Sequence, residues 1–214
     1  MQRYVNFYLT PPLDLFNFGI MAKKNPNWRI ITGILFRPER FFRQLAIDLP
    51  GKKDFFTSYG LPLMVVGAAG RMVRVWHARS LEGEVPGGDQ LSGVFLVTLA
   101  GYMFAVWFGS LLMTRLSKSF QTREDAPATM VLTMAAMTPL MLSQPLAAMA
   151  PAMAPISILG LIYTVYLFGL GAGFVLATPP AKRIGFALAG FFIIFSLAYL
   201  TILIFSGLFI FAPK

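Results

Sequence analysis

The sequence predicts an all-α protein: a polytopic membrane helical bundle of about five transmembrane helices, preceded by an N-terminal cytoplasmic segment with an amphipathic helix. Two observations lead to this class. Of the 214 residues, 57% are hydrophobic and only 13% are charged, whereas soluble domains carry about 25% charged residues. From Pro127 to Ala212 the only charged residues are Lys182 and Arg183. Helices that are apolar on every face belong in lipid, so we expect an integral membrane protein.

Residues 1–54 form the predicted cytoplasmic segment, because no run in them is long and apolar enough to cross a bilayer. Pro38 suits the first turn of a helix, where its missing N–H costs nothing. Four apolar side chains share one side of that helix: Phe41, Phe42, Leu45 and Leu49. Charged side chains lie opposite, a pattern that fits an interfacial helix in the headgroup region. It fits a helix docked on the protein's own spans equally well.

Residues 55–214 form the predicted five-helix transmembrane domain. Five segments provide the roughly 20 apolar residues that a crossing requires. They are Phe55–Trp76, Leu91–Met113, Pro127–Met149, Ile156–Thr178 and Ile184–Phe211. Pro139 and Pro145 are expected to kink the third segment, which a bundle tolerates when neighbouring helices satisfy the freed carbonyls.

The basic residues predict the orientation. With the N-terminus inside, most of the 18 Lys and Arg residues lie on the inner side. The positive-inside rule therefore places the N-terminus in the cytoplasm and the C-terminus outside the cell membrane. The net charge of +9 is concentrated between hydrophobic segments, so we expect membrane lipids rather than nucleic acid as the counter-charge.

Arg71 and Arg74 share a helix face near the outer end of the first span. A charge within a span is costly and indicates function by default. Snorkelling of both side chains to lipid phosphates is the simpler interpretation, and an anion or lipid-headgroup site is the alternative. Glu82, Glu84 or Asp89 would then be candidate ion-pair partners.

Small residues four positions apart occur in the last two spans, as Gly169 with Gly173 and Gly185 with Ala189. Such pairs let helix backbones approach closely in lipid. Packing within the chain is the expected use, and contact with a partner subunit is the alternative.

Nothing in the sequence predicts catalysis or a metal site, and the chain identifies no cofactor. It has no Cys, one His, and no Asp or Glu within a predicted span. A methionine stripe on the third span comprises Met130, Met134, Met137 and Met141. Thioethers bind Cu(I), but Met also fills gaps in cores, and we expect packing. The single histidine, His77, is expected to be unliganded.

Three short segments resemble the Yip family of Ypt/Rab-interacting membrane proteins, in its bacterial type. They are Leu35–Phe42, Ala136–Pro139, and Tyr166–Leu170 followed by Ala181-Lys182. The resemblance covers about Ile30–Phe211 and implies five spans with a cytoplasmic N-terminus. Eukaryotic members resemble vesicle-traffic adaptors that bind small GTPases through an Asp-Leu-Tyr-Gly-Pro tail signature. Only Asp14-Leu15-Phe16 is similar to it here, so GTPase binding is not carried over.

Two functions follow as hypotheses. The first is a non-enzymatic, Yip-like accessory subunit that organises or accompanies a larger membrane assembly, with other membrane subunits or a second copy as partners. The second is a small transporter or lipid-handling protein that uses the basic site near Arg71 and Arg74.

Overall fold

Every regular element in the computed structural model, which describes residues 26–210, is helical. The helices are α1 (Pro26–Phe36), α2 (Pro38–Ile47), α3 (Lys52–Phe55), α4 (Leu61–Leu81), α5 (Gly88–Leu116), α6 (Ala126–Ala136), α7 (Thr138–Met149), α8 (Pro155–Val175) and α9 (Pro180–Ile210). A π-helical turn, Phe56–Gly60, joins α3 to α4, and a 3₁₀ turn, Pro151–Met153, precedes α8. The predicted all-α class is confirmed. The tail before Pro26, including Asp14-Leu15-Phe16, lies outside the described residues, as does everything after Ile210.

Four helices in the described range are long and apolar enough to cross a membrane: Gly88–Leu116, Ala126–Met149, Pro155–Val175 and Pro180–Phe205. The chain is therefore a multi-pass membrane protein. The first predicted span, Phe55–Trp76, lies in the helical run from α3 to α4 and is not among these four. Helix α4 has 21 residues but carries three arginines. About five helices thus form the bundle, and four of them contain an apolar stretch long enough to cross a membrane.

The third apolar span, made of α6 and α7, is the centre of the bundle. In this span 78% of the apolar window is buried, against 28–39% in the other three, so its neighbours screen it from lipid. Asp125 caps α6, because its Oδ1 accepts the Ala128 N–H at 3.0 Å. The span breaks at Met137, and Pro139 follows in the first turn of α7. The predicted kink at this proline is therefore a break between two helices.

Helix α4 runs beside the central span in the same direction. Three glycines contact successive residues of that span: Gly60, at the end of the π-helical turn, with Met134, and Gly67 and Gly70 of α4 with Met141 and Pro145. A Cβ at Gly70 would lie 2.6 Å from Pro145 Cδ. Because glycine has no side chain, the two backbones approach to a distance that no other residue permits here.

The apolar face of α2 packs on the protein itself. Phe42 and Leu45 are fully buried and Phe41 is 7% exposed, while Leu49 packs against the same core. On the other side of the contact, a Cβ at Gly171 of α8 would lie 2.8 Å from Phe42 Cε1. These side chains therefore lie among helices, as in the docked alternative. Placement of α2 in the headgroup region stays a prediction, as does the domain boundary after residue 54, which falls inside α3.

Candidate functional site

A cavity of about 100 Å³ lies between α4, α5, α7, α8 and α9. Five side chains with polar groups line it: Arg71, Tyr102, Gln144, Thr164 and Tyr199. Tyr102 is the central residue of α5, which has 29 residues. The cavity therefore lies beside the middle of α5, and Arg71 is itself the central residue of α4. Its position near the outer end of a span stays a prediction.

The polar groups of Arg71, Tyr102 and Gln144 have no hydrogen-bond or ion-pair partner within the described part of the chain. The Arg71 guanidinium has neither a carboxylate at ion-pair distance nor a hydrogen bond there, and the Tyr102 hydroxyl and the Gln144 amide have no hydrogen bond either. Tyr102 is 6% exposed. Only the Thr164 hydroxyl is used, since it donates to Gly160 O at 2.9 Å. Arg71 and Gln144 beside it are half-buried. Buried polar groups are nearly always hydrogen-bonded, so the buried Tyr102 hydroxyl in this cluster calls for an explanation.

The other basic residues of α4 are not part of the cavity lining. Arg74 is exposed and donates from Nη1 to Ser157 Oγ at 3.3 Å. Glu84, a candidate partner from the sequence, is 3.7 Å from Arg79 instead. Arg71 and Arg74 therefore lie in different surroundings, although they are only three residues apart.

A buried hydrogen bond holds the break in the central span next to the cavity. The π-helical turn at Phe56–Gly60 places the Tyr59 hydroxyl 2.6 Å from Thr138 Oγ1. The two residues are 1% and 0% exposed, respectively. Met137, the residue at the break, itself lines the cavity. The sequence analysis missed this bond, and the only local signal for it was a tyrosine beside the start of a span. π-helical turns are frequent at functional sites.

Comparison with known families identifies the chain. A family model, described as the Yip1 domain, matches residues 32–210. The chain belongs to the Yip family. The match extends from α1 through α9, so the docked α2 and the cavity are both parts of the Yip1 domain. No curated protein and no solved structure matches the chain significantly.

In this Yip-family chain the small-residue pair Gly169 and Gly173 lies between α8 and α9, whereas Gly185 lies against the loop after α5. A Cβ at Gly169 would lie 3.5 Å from Ala187 Cβ, and one at Gly173 would lie 2.6 Å from Arg183 Cζ. Gly185 approaches Phe120 at 3.2 Å by the same measure, and Ala189 is partly buried. The three glycines therefore lie close to other parts of the chain, and contact with a partner subunit stays a prediction.

The methionine stripe of this Yip1 domain lies in its core. Met134, Met137 and Met141 are at most 2% exposed, and Met130 is 8% exposed. His77 lies beside Trp76, with ring centroids 6.1 Å apart. Within the described range there is no group of three or more potential metal-binding residues.

The Yip-family sequence had no local signal for Tyr102 as a site residue. Tyrosine is common in apolar helices, and this one meets Arg71 only through helix packing. Gln144 carried a weak signal, because an amide in an otherwise apolar span is costly unless it is bonded.

Proposed function

We propose that this Yip-family protein is a non-enzymatic accessory subunit that organises or accompanies a larger assembly in the cell membrane. The observation that supports it is the docking of α2. Phe42 and Leu45 are both fully buried against the bundle, so the chain before Pro26 is attached to a fixed element rather than to a free linker. A segment anchored in this way can present a binding sequence to a partner at a defined place.

We also propose that the N-terminus faces the cytoplasm and that the C-terminus is outside. The loop after α5 and the loop before α9 contact each other, since Arg123 N donates to Leu176 O at 3.0 Å and Lys182 Nζ donates to Ser119 O at 3.4 Å. Their basic residues therefore lie at one end of the bundle, which the positive-inside rule assigns to the cytoplasm. A cysteine added at either end, probed with an impermeant maleimide on intact cells, tests this. Labelling at the N-terminus would overturn it.

Gentle purification tests the accessory role. The intact chain, extracted in a mild detergent, is expected to bring a stoichiometric membrane partner with it. Deletion of Met1–Ala22 should release that partner, because it removes the presented segment and leaves α1 and α2 in place. A chain with a Gly-Ser segment of equal length at the same position is the matched control and should behave like the deletion. Retention of the partner by both variants would exclude the tail's role, and purification as a lone protomer would exclude an assembly.

A transporter or lipid-handling protein is the second candidate, and the cavity favours it. Secondary transporters bind their substrates near the middle of their spans, and this cavity lies beside the middle of α4 and α5. In vesicles that contain the purified protein, transbilayer movement of a fluorescent anionic lipid should depend on Arg71 and fall to the protein-free rate in Arg71→Gln. Arg74→Gln, which removes an equal charge three residues away, tests whether the second arginine contributes. Unchanged movement in Arg71→Gln would remove this site from the function.

A further inference from the structure

The cavity brings together hydrogen-bond donors from three different helices. Arg71 comes from α4, Tyr102 from α5 and Gln144 from α7. A guanidinium carries five N–H donors and no acceptor, a phenol donates one O–H, and a primary amide donates two N–H. None of the three side chains donates a hydrogen bond to another group in the described part of the chain. The cluster is therefore rich in free donors at one point inside the bundle.

The charge of Arg71 sets the kind of ligand. Arg71 is half-buried, and a guanidinium stays protonated in proteins, so it keeps its charge at this position. In the low-dielectric interior an unpaired charge is costly, and intramembrane arginines pair with an anion or line a water-filled space. No Asp or Glu is among the cavity-lining residues that the structure describes. Water would supply hydrogen bonds but no countercharge, whereas an anion supplies both.

The rest of the cavity wall suits an alkyl chain. Phe191 and Ile194 form part of this wall, together with Phe195 and Tyr199. The latter two are also 43% and 58% exposed on the outer surface of α9. The cavity thus reaches the face of the bundle that lipid covers. A dry cavity of about 150 Å³ holds a benzene-sized molecule, so about 100 Å³ accommodates one anionic group and a few methylenes, with the remaining chain outside.

We propose that Arg71, Tyr102 and Gln144 bind the carboxylate or phosphate head of a single-chain or double-chain membrane lipid, whose alkyl chain passes Phe195 and Tyr199 into the bilayer. Planar guanidinium groups bind both anions through two parallel hydrogen bonds. Tyr102 and Gln144 then donate to the remaining oxygens. The inference rests on the second candidate function and adds to it the chemical class of the ligand.

Equilibrium binding to the full-length protein tests it. Four probes are added to protein in a neutral detergent: oleate, 1-oleoyl lysophosphatidate, monoolein and inorganic phosphate. The first three share one acyl chain and differ in the head. Native mass spectrometry and the ligand-dependent rise in Tm measure binding. We expect oleate, lysophosphatidate or both to bind at least tenfold more tightly than monoolein. Preference between the two identifies a carboxylate or a phosphate head as the natural source. Tight binding of inorganic phosphate with none of lysophosphatidate would overturn the lipid ligand.

Three variants locate the site. Arg71→Gln should weaken binding of the anionic probe about tenfold to a hundredfold, which is typical of the loss of charged hydrogen bonds. Tyr102→Phe keeps the ring, removes only the hydroxyl, and should weaken binding about threefold to tenfold. It keeps the test decisive if Arg71→Gln does not fold.

Arg74→Gln is the matched control and should bind within about twofold of the original chain, because Arg74 lies outside the cavity. Monoolein bound as tightly as oleate would refute the proposal. So would equal losses in Arg71→Gln and Arg74→Gln, or original affinity in Tyr102→Phe. The assay needs no partner and no lipid movement, so a failed transport experiment would leave its result standing.

Discussion

Substitution of Gly70 by alanine should destabilise the protein through the contact between α4 and α7. The added Cβ would lie 2.6 Å from Pro145 Cδ and 2.7 Å from Pro145 Cα, and nearer still to Pro145 N. Carbon atoms in favourable contact are about 3.5–4.0 Å apart, so the overlap is about 1 Å. Two of these atoms are backbone, and neither can rotate away. One helix must therefore move.

The magnitude follows from two opposing effects. Overpacking of this kind costs about 1–3 kcal/mol, while replacing glycine by alanine within a helix gains up to about 1 kcal/mol. The net loss expected for Gly70→Ala is about 1–2 kcal/mol. Gly169→Ala is the matched control on α8, because its Cβ would meet Ala187 Cβ at 3.5 Å, an ordinary contact. That variant should be neutral or up to about 1 kcal/mol more stable.

Unfolding of both variants in detergent, followed by tryptophan fluorescence, checks this expectation. The chain has three tryptophans, one of which, Trp76, lies on α4. Reversible titration with a denaturing detergent gives the free-energy differences. If Gly70→Ala proved as stable as the original chain, or if Gly169→Ala were the more damaging change, the inferred contact between α4 and α7 would be wrong.

Three further substitutions test local contacts by the same unfolding assay. Tyr59→Phe should cost about 0.5–1.5 kcal/mol, since it removes the buried bond to Thr138; in Thr138→Val the same change should then have a smaller effect. Asp125→Ala should cost about 0.5–2 kcal/mol through loss of the α6 cap. Asp125→Asn keeps an acceptor and should cost less. Equal losses of stability in the two variants would contradict capping. Phe42→Ala should cost about 3–5 kcal/mol because the ring is fully buried. Ile47→Ala is the control, and it should cost under about 1 kcal/mol because that side chain is 78% exposed. Similar values for the two would show that α2 is not docked.

Much of the fold was predictable because hydropathy and proline positions are local properties. The helix after Pro38 begins there, and the break in the central span lies two residues before Pro139. The apolar face around Phe42 was recognised from the 3.6-residue period. What this face packs against was not predictable from the sequence, because the acyl chains below the headgroups and a neighbouring helix both accept the same apolar helix face.

The candidate site was predicted only in part. The sequence singled out Arg71 and Arg74 together, because an arginine in a span is costly, but it did not predict that only Arg71 lines the cavity. Residues three apart lie about 60° apart around a helix, which is enough for one to face a cavity and the other to face outward. Tyr102 and Gln144 join the site from other helices. The residues next to them in the sequence do not predict that they lie near Arg71.

The sequence by itself determined that this is a multi-pass helical protein, because the ability of a helix to cross lipid depends on its composition and length. It also determined membership of the Yip family, through the match over residues 32–210. Only the tertiary structure decided that the third apolar span is central, that Gly70 contacts Pro145, and that three unpaired donors surround one cavity. Those features depend on how each helix is rotated and shifted against its neighbours. Rotation and shift are set by side-chain packing between segments such as Tyr59 and Thr138, which are 79 residues apart in the chain.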